Sequence, residues 1–222
     1  MMKEVCEAEM NISVPEDAEA IMYIHGKGGH PDEARYFRRL CEGCEIIGLD
    51  YHGKTPWETK DEILTEYDAL RRKFGSVSVI AVSIGAYFCM NALQGQDIAR
   101  AFFISPVVNM EKLIAGMMAY SGVSESELEA RKEIDTDFGE KLSWEYLCYI
   151  RENPINWTAP TWILHGEKDN VIPVGRVREF AQRCSAELTV MPGGEHWFHT
   201  EEQTAFLDEW FRRCINIKEG LQ

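Results

Sequence analysis

Long apolar runs are missing from this chain. None of its segments approaches the about 18 consecutive apolar residues that a membrane span requires, and the opening stretch carries acidic residues from Glu4 onward without an uninterrupted apolar core. It does not read as a signal peptide, so a cytoplasmic protein without a membrane span is expected. Positive charge is also scarce: 23 Lys and Arg stand against 37 Asp and Glu, a formal net charge of -14. A surface with surplus carboxylates repels phosphate backbones and anionic headgroups, which excludes nucleic acid as an expected partner. Proline and glycine show no excess, and neither an internal repeat nor a low-complexity segment is present.

Cysteine is neither abundant nor paired in number. The seven cysteines are an odd set, and Cys6, Cys89, Cys148, Cys184 and Cys214 fall at apolar positions, which suits a reducing compartment better than a disulfide scaffold. Cys41 and Cys44 form the only C-x-x-C. No second pair at metal-ligand spacing accompanies it, so zinc or redox chemistry there is the minor reading. What remains is an ordinary globular composition: 222 residues, 45% hydrophobic, long enough to bury about 70% of the unfolded surface. A single domain over residues 1–222 that folds unaided is expected. Nothing in the sequence specifies an oligomeric state.

Cys6, Ala8, Met10, Ile12 and Val14 alternate with polar residues, the period of a strand with one wet face. The segments Ala20 to Ile24, Glu45 to Leu49, Val77 to Val82, Ala101 to Ile104, Thr161 to Leu164 and Glu187 to Val190 are short and mostly apolar throughout. Strands covered on both faces have that pattern. Helical periodicity fills the intervals, at Asp32 to Cys41, Glu58 to Phe74 with Gly75 as C-cap, Ile84 to Leu93, Gly175 to Cys184 and Glu201 to Ile215. Alternating strands and helices predict an α/β fold: a mostly parallel, doubly wound sheet of about seven strands flanked by helices. The alternation breaks at residues 107–159, where helical patterns occur without a convincing strand. Ser124 with Glu127 forms a capping box there, Ser143 to Glu152 reads as a further helix, and the charges from Ser124 to Asp137 read as a solvated helix face.

The chemistry sits at strand ends. Val77 to Val82 runs straight into Ser83-Ile84-Gly85-Ala86 and a helical stretch, the pattern of a nucleophile elbow. Its tight turn demands small residues two before and two after the serine, and Ala81 and Gly85 meet that demand. A helix N-cap serine is the plainer alternative. The strand ending at Ile24 leads into His25-Gly26-Lys27-Gly28-Gly29, a turn able to aim backbone N–H groups at a developing oxyanion. A phosphate cradle is the weaker reading, since the G-x-x-x-x-G-K-[ST] pattern is absent. After Leu164 comes His165-Gly166-Glu167-Lys168-Asp169-Asn170-Val171-Ile172-Pro173, and after Val190 comes Pro192-Gly193-Gly194-Glu195-His196-Trp197. In open α/β sheets ligands bind at the carboxyl ends of the strands, so all these turns converge on one crevice.

In these motifs, from the H-G-x-G-like loop through A-x-S-x-G to D-x-V-I-P and G-x-H, the chain resembles the α/β-hydrolase family over nearly its whole length. The resemblance implies Ser83 as nucleophile, His196 as general base and Asp169 as the residue that orients the histidine. It implies backbone N–H groups of Lys27 and Ile84 as the oxyanion hole, and residues 107–159 as a helical lid. One leading family strand is missing. No cofactor and no metal are implied.

Competing residues have plainer readings. Glu167 lies two residues before Asp169, but the D-x-V-I-P resemblance favours Asp169. His199 is the runner-up base, and His25 and His165 read as turn-stabilising. His30, Asp50 and His52 fall at strand ends rather than at metal-ligand spacing. Ser105 precedes Pro106, which has no N–H to lend to an oxyanion hole. The insertion is rich in Met110, Met117, Met118, Tyr120, Trp144, Tyr146 and Tyr149, read mainly as packing against the sheet and secondarily as an acyl pocket. The expected activity is hydrolysis of a small or medium carboxylic ester or thioester through an acyl-Ser83 intermediate. A peptidase or acyltransferase using the same residues, or a ligand-binding protein on the same scaffold, are the alternatives.

Overall fold

The computed structural model describes residues 18–41 and 43–217. In chain order the elements are β1 (Glu19–Ile24), a short 3-10 turn at Pro31–Glu33, α1 (Ala34–Arg38), β2 (Glu45–Gly48), α2 (Pro56–Arg71), β3 (Ser76–Val82), α3 (Ile84–Leu93) and β4 (Ala101–Ile104). Then follow α4 (Met110–Ser121), α5 (Glu125–Arg131), β5 (Glu133–Asp135), β6 (Lys141–Ser143), α6 (Trp144–Glu152), β7 (Thr161–Gly166), α7 (Val174–Cys184), β8 (Glu187–Met191) and α8 (Glu201–Ile215). Six strands form one parallel sheet in the order β2-β1-β3-β4-β7-β8. The six short apolar segments are these strands. The expected seventh, Cys6 to Val14, lies outside the described residues.

Both faces of the sheet are dry, which explains the continuous apolar runs. Met22, Val79, Ala81, Phe103 and Ile163 face one buried cluster, completed by Ile63 of α2, Phe88 of α3 and Phe180 of α7. Tyr23, Ile80, Phe102 and Leu164 face the other, closed by Phe37 of α1 and Trp210 and Phe211 of α8. Successive strand residues therefore alternate between two apolar layers rather than between core and water. A helix on each face is the doubly wound arrangement, and the chain reverses its direction of travel between β1 and β3. That switch point lies at the carboxyl ends of the two strands, where open α/β sheets bind ligands, and Ile24 is there in register with Ala81.

Local chemistry sets the helix limits. Thr55 and Glu58 exchange side-chain to backbone bonds in a full capping box, with Pro56 at the first turn of α2. This helix stops at Arg71, earlier than the sequence implies. Gly75 is not its C-cap; its N–H donates to the Ala18 carbonyl at 3.0 Å, beginning the alignment of β3 with β1. Ser124 and Ser143 cap α5 and α6 as expected.

The region between β4 and β7 departs from the purely helical expectation. Beyond α5, Lys132 takes a left-handed φ of 67°, and β5 and β6 then pair antiparallel, Ile134 opposite Leu142. Each of these strands is three residues long and buries only that one residue, too little for period-two alternation to show. The charged run from Ser124 is thus a helix followed by a strand. Leu128, Ile134, Leu142 and Leu147 join the same buried cluster as Met22 and Val79. Cys41 and Cys44 lie close together, with Cα atoms 5.6 Å apart, within the span a disulfide bridges.

Candidate active site

Ser83 occupies the turn between β3 and α3 with φ 51° and ψ -121°, a conformation costing a non-glycine residue of order 1–3 kcal/mol. The surroundings hold it there. Its N–H donates to the Ile104 carbonyl at 3.0 Å, and its own carbonyl accepts from Ala86 at 3.2 Å and Val107 at 3.0 Å. The small residue at position 85 has a direct cause: a Cβ there would lie 2.3 Å from the His25 carbonyl oxygen. Only glycine lets α3 approach the end of β1 so closely. That approach sets Gly26 to Gly29 beside the serine. The Lys27 and Ile84 backbone N–H groups have no hydrogen-bond partner among the described residues, and Ile84 is the first of the free donors at the start of α3.

The acid and the base arrive on the turns after β7 and β8. Lys168 N–H donates to the Gly194 carbonyl at 2.8 Å and Glu167 N–H to the Met191 carbonyl at 3.0 Å, tying the two turns together by main chain. Gly166 permits this contact, because a Cβ would stand 2.5 Å from the carbonyl oxygens of both Gly194 and Glu195. Asp169 accepts from the Val171 and Ile172 N–H groups through Oδ1, each at 2.8 Å. Its Oδ2 stands 2.7 Å from Nδ1 of His196, and Nε2 of His196 stands 3.0 Å from Oγ of Ser83. A carboxylate only accepts, so the proton lies on Nδ1 and leaves Nε2 free to accept from the serine hydroxyl. All three residues are buried. Burial pushes the Asp169 carboxyl upward, but the bond from His196 and the Ile172 and Val171 N–H groups outweigh it, and the carboxyl is held below its ordinary value.

The competitors are placed elsewhere. Glu167 accepts the Gly193 N–H at 2.9 Å, so its carboxylate braces a turn. His199 is exposed, its Nδ1 directed at the Trp197 carbonyl. His25 is buried, stacked on Tyr51 with ring centroids 4.2 Å apart. His165 is fully buried, with Nε2 2.9 Å from the Ile172 carbonyl and 3.6 Å from Asp169 Oδ2; burial lowers its pKa and keeps it neutral. Ser105 donates through Oγ to the His196 carbonyl at 2.9 Å. Among the described residues no group of three or more His, Cys, Asp or Glu side chains is placed to hold a metal ion.

The insertion meets α2 through aromatic rings. Trp57 of α2 packs edge-on against Tyr146 at 5.5 Å and tilted against Tyr149 at 5.0 Å. The Tyr146 hydroxyl is buried without a partner among the described residues. The Lys27 ammonium pairs with Glu140 in the turn between β5 and β6, joining the glycine loop to the insertion. The sequence reading missed Trp57 and Tyr51. Tyr51 lies just past β2 at the carboxyl edge, and that position was the available signal.

Solved structures share this fold over most of their length. The structure superposes on Est1E from Butyrivibrio proteoclasticus with a TM-score of 0.68 at 20% identity, covering 90% of this chain and 88% of that one. A hydrolase-like protein from Agrobacterium vitis S4 gives 0.71 at 16% identity over 89% and 87%. The chain has the α/β-hydrolase fold. Mouse alpha/beta hydrolase domain-containing protein 10 shares that fold with a TM-score of 0.67 at 17% identity, covering 88% of this chain and 89% of its own. No protein-family model and no curated protein matches the sequence. Ser83, Asp169 and His196 stand just past the ends of β3, β7 and β8.

Proposed function

We propose that this protein is a serine hydrolase that cleaves a small or medium carboxylic ester or thioester. The observation that carries the reading is the continuous proton path Ser83 Oγ, His196 Nε2, His196 Nδ1, Asp169 Oδ2, with donor–acceptor distances of 3.0 Å and 2.7 Å. Its likeness in fold to Est1E, of which one solved form has ferulic acid bound, and to an esterase from Pyrococcus furiosus supports ester substrates.

Each group then has a role. A serine hydroxyl is a weak nucleophile at neutral pH, so His196 takes its proton as Oγ attacks the carbonyl carbon. The carbonyl oxygen becomes an oxyanion against the Lys27 and Ile84 N–H groups, which are oriented before the charge appears; one such donor lowers the barrier by about 3–4 kcal/mol. Asp169 holds the imidazole and stabilises the imidazolium. His196 then returns the proton to the leaving oxygen or sulfur, the bond to it breaks, and the acyl group stays on Ser83. A water, deprotonated by His196, attacks the same carbon; His196 passes that proton to Ser83 Oγ as the acyl bond breaks, which frees the acid and restores the serine. Residues 107–159 act as the lid of this site within a single domain, with Tyr146 and Tyr149 of the lid packed on Trp57 of α2.

A fluorophosphonate probe tests the reading. Wild type is labelled and Ser83→Ala is not, while a chain-length series of chromogenic esters and acyl thioesters is turned over only by wild type. Equal labelling of both proteins, or none of the wild type, overturns it.

A further inference from the structure

We infer that Trp197 forms the wall against which the leaving alcohol rests and that it selects esters of uncharged, flat aromatic alcohols, an inference that rests on the reading of Ser83 and His196 given above. Among the described residues the exposed large hydrophobic side chains are Tyr120, Phe138, Val171 and Trp197. Tyr120 and Phe138 cover each other, with ring centroids 5.5 Å apart. Val171 and Trp197 instead sit on the turns that carry Asp169 and His196. Trp197 is 54% exposed although its chain neighbour His196 is 5% exposed, and the next residue, Phe198, packs on the buried cluster beneath α8. The indole therefore contributes little to the core, and burial does not account for it.

Its position relative to the proton path gives it a use. The indole stands perpendicular to the His196 ring, with interplanar angle 88° and centroids 5.0 Å apart. When His196 returns its proton, the leaving oxygen must lie within about 3 Å of Nε2. The alcohol attached to that oxygen then extends along the histidine side of the crevice, while the acyl carbon remains on Ser83. An exposed indole at that place offers a flat apolar face, and aromatic rings stack on such faces with about 0.5–1.5 kcal/mol beyond their buried area. The net charge of -14 opposes the approach of anionic leaving groups, so a phosphate-bearing thiol is disfavoured against a neutral alcohol.

Leaving-group contacts have a kinetic signature that a structural role lacks. They act on acylation and vanish once the alcohol has gone, because every ester of one acid passes through the same acyl-enzyme. Naphthylmethyl, cyclohexylmethyl and ethyl esters of one acid, whose alcohols are similar in basicity, are assayed on wild type, Trp197→Phe and Trp197→Ala. In Trp197→Ala, kcat/KM for the naphthylmethyl ester falls about three- to tenfold, the ethyl ester is unchanged, and Trp197→Phe keeps most of the preference. The deacylation rate of the common acyl-enzyme, read from pre-steady-state bursts, is the same in all three proteins. An equal fall for all esters, a slower deacylation, or no fall at all overturns the inference while fluorophosphonate labelling of Ser83 persists. A wild type that forms no acyl-enzyme at Ser83 overturns the hydrolase reading itself.

Discussion

Neighbouring parallel strands β3 and β4 each end in a buried serine with left-handed backbone, φ 51° at Ser83 and 45° at Ser105. Both have positive φ, but their surroundings differ. Ser83 is followed by Ile84, whose N–H has no partner among the described residues, and by a glycine that lets α3 close on β1. Ser105 is followed by Pro106, which has no N–H to offer, and its hydroxyl donates to the His196 carbonyl. One serine faces the ring of the histidine and the other supports its main chain. Backbone strain therefore does not by itself mark a nucleophile; what the next residue donates and where the oxygen points decide the matter.

The largest effect expected from breaking this comparison is at Ser83. Ser83→Ala should lower kcat for ester cleavage by about a millionfold with an unchanged urea midpoint, measured by hydrolysis assay and equilibrium unfolding. Ser105→Ala should act through position instead. Removing a donor from a buried carbonyl costs about 1–3 kcal/mol, so its urea midpoint should drop and kcat should fall far less than in Ser83→Ala. A loss of activity as deep as that of Ser83→Ala, with full stability, would end the distinction.

The two histidines near Asp169 sharpen the same contrast, since His196 links Ser83 to Asp169 in the proposed proton path while His165 meets the Ile172 carbonyl in the turn after β7. Burial lowers the pKa of His165 below its ordinary value of 6.5. The unfolded chain therefore takes up a proton that the fold refuses, and this contribution to stability is present at neutral pH and lost as pH falls through and below 6.5. His165→Gln should flatten the fall in urea midpoint between about pH 7 and pH 5, leaving the remaining slope to other groups. The smallest effect is at Tyr146. Its buried hydroxyl has no partner among the described residues, so Tyr146→Phe should leave the thermal midpoint unchanged or raise it slightly; a drop worth about 1 kcal/mol or more would reveal a bond there.

Much of this was legible because the informative residues are local. The run Val77 to Leu93 shows a dry strand, a small–serine–glycine turn and an apolar helix in sequence, and the structure follows it residue for residue from Ser83 into α3. Glu201 to Ile215 is likewise the helix its periodicity describes. Other features depend on what lies across space. The hairpin of Ile134 and Leu142 is too short to carry a period. The partnership of Trp57 with Tyr146 joins groups whose proximity no local pattern encodes. The tight fit at Gly166 belongs to that class as well, because its cause lies on the following turn.

That fit at Gly166 divides the site into a part that resists change and a part that invites it. Main-chain atoms of the acid turn rest directly on main-chain atoms of the histidine turn, so the spacing between proton acceptor and proton carrier does not depend on the side chains these turns display. A methyl group at Gly166 would wedge the turns apart. Val171 and Trp197 project outward from the same turns, and replacing them leaves the joint intact. If Ser83, Asp169 and His196 act as proposed, substrate preference can be rewritten at the rim of this molecule while the spacing beneath it stays in register.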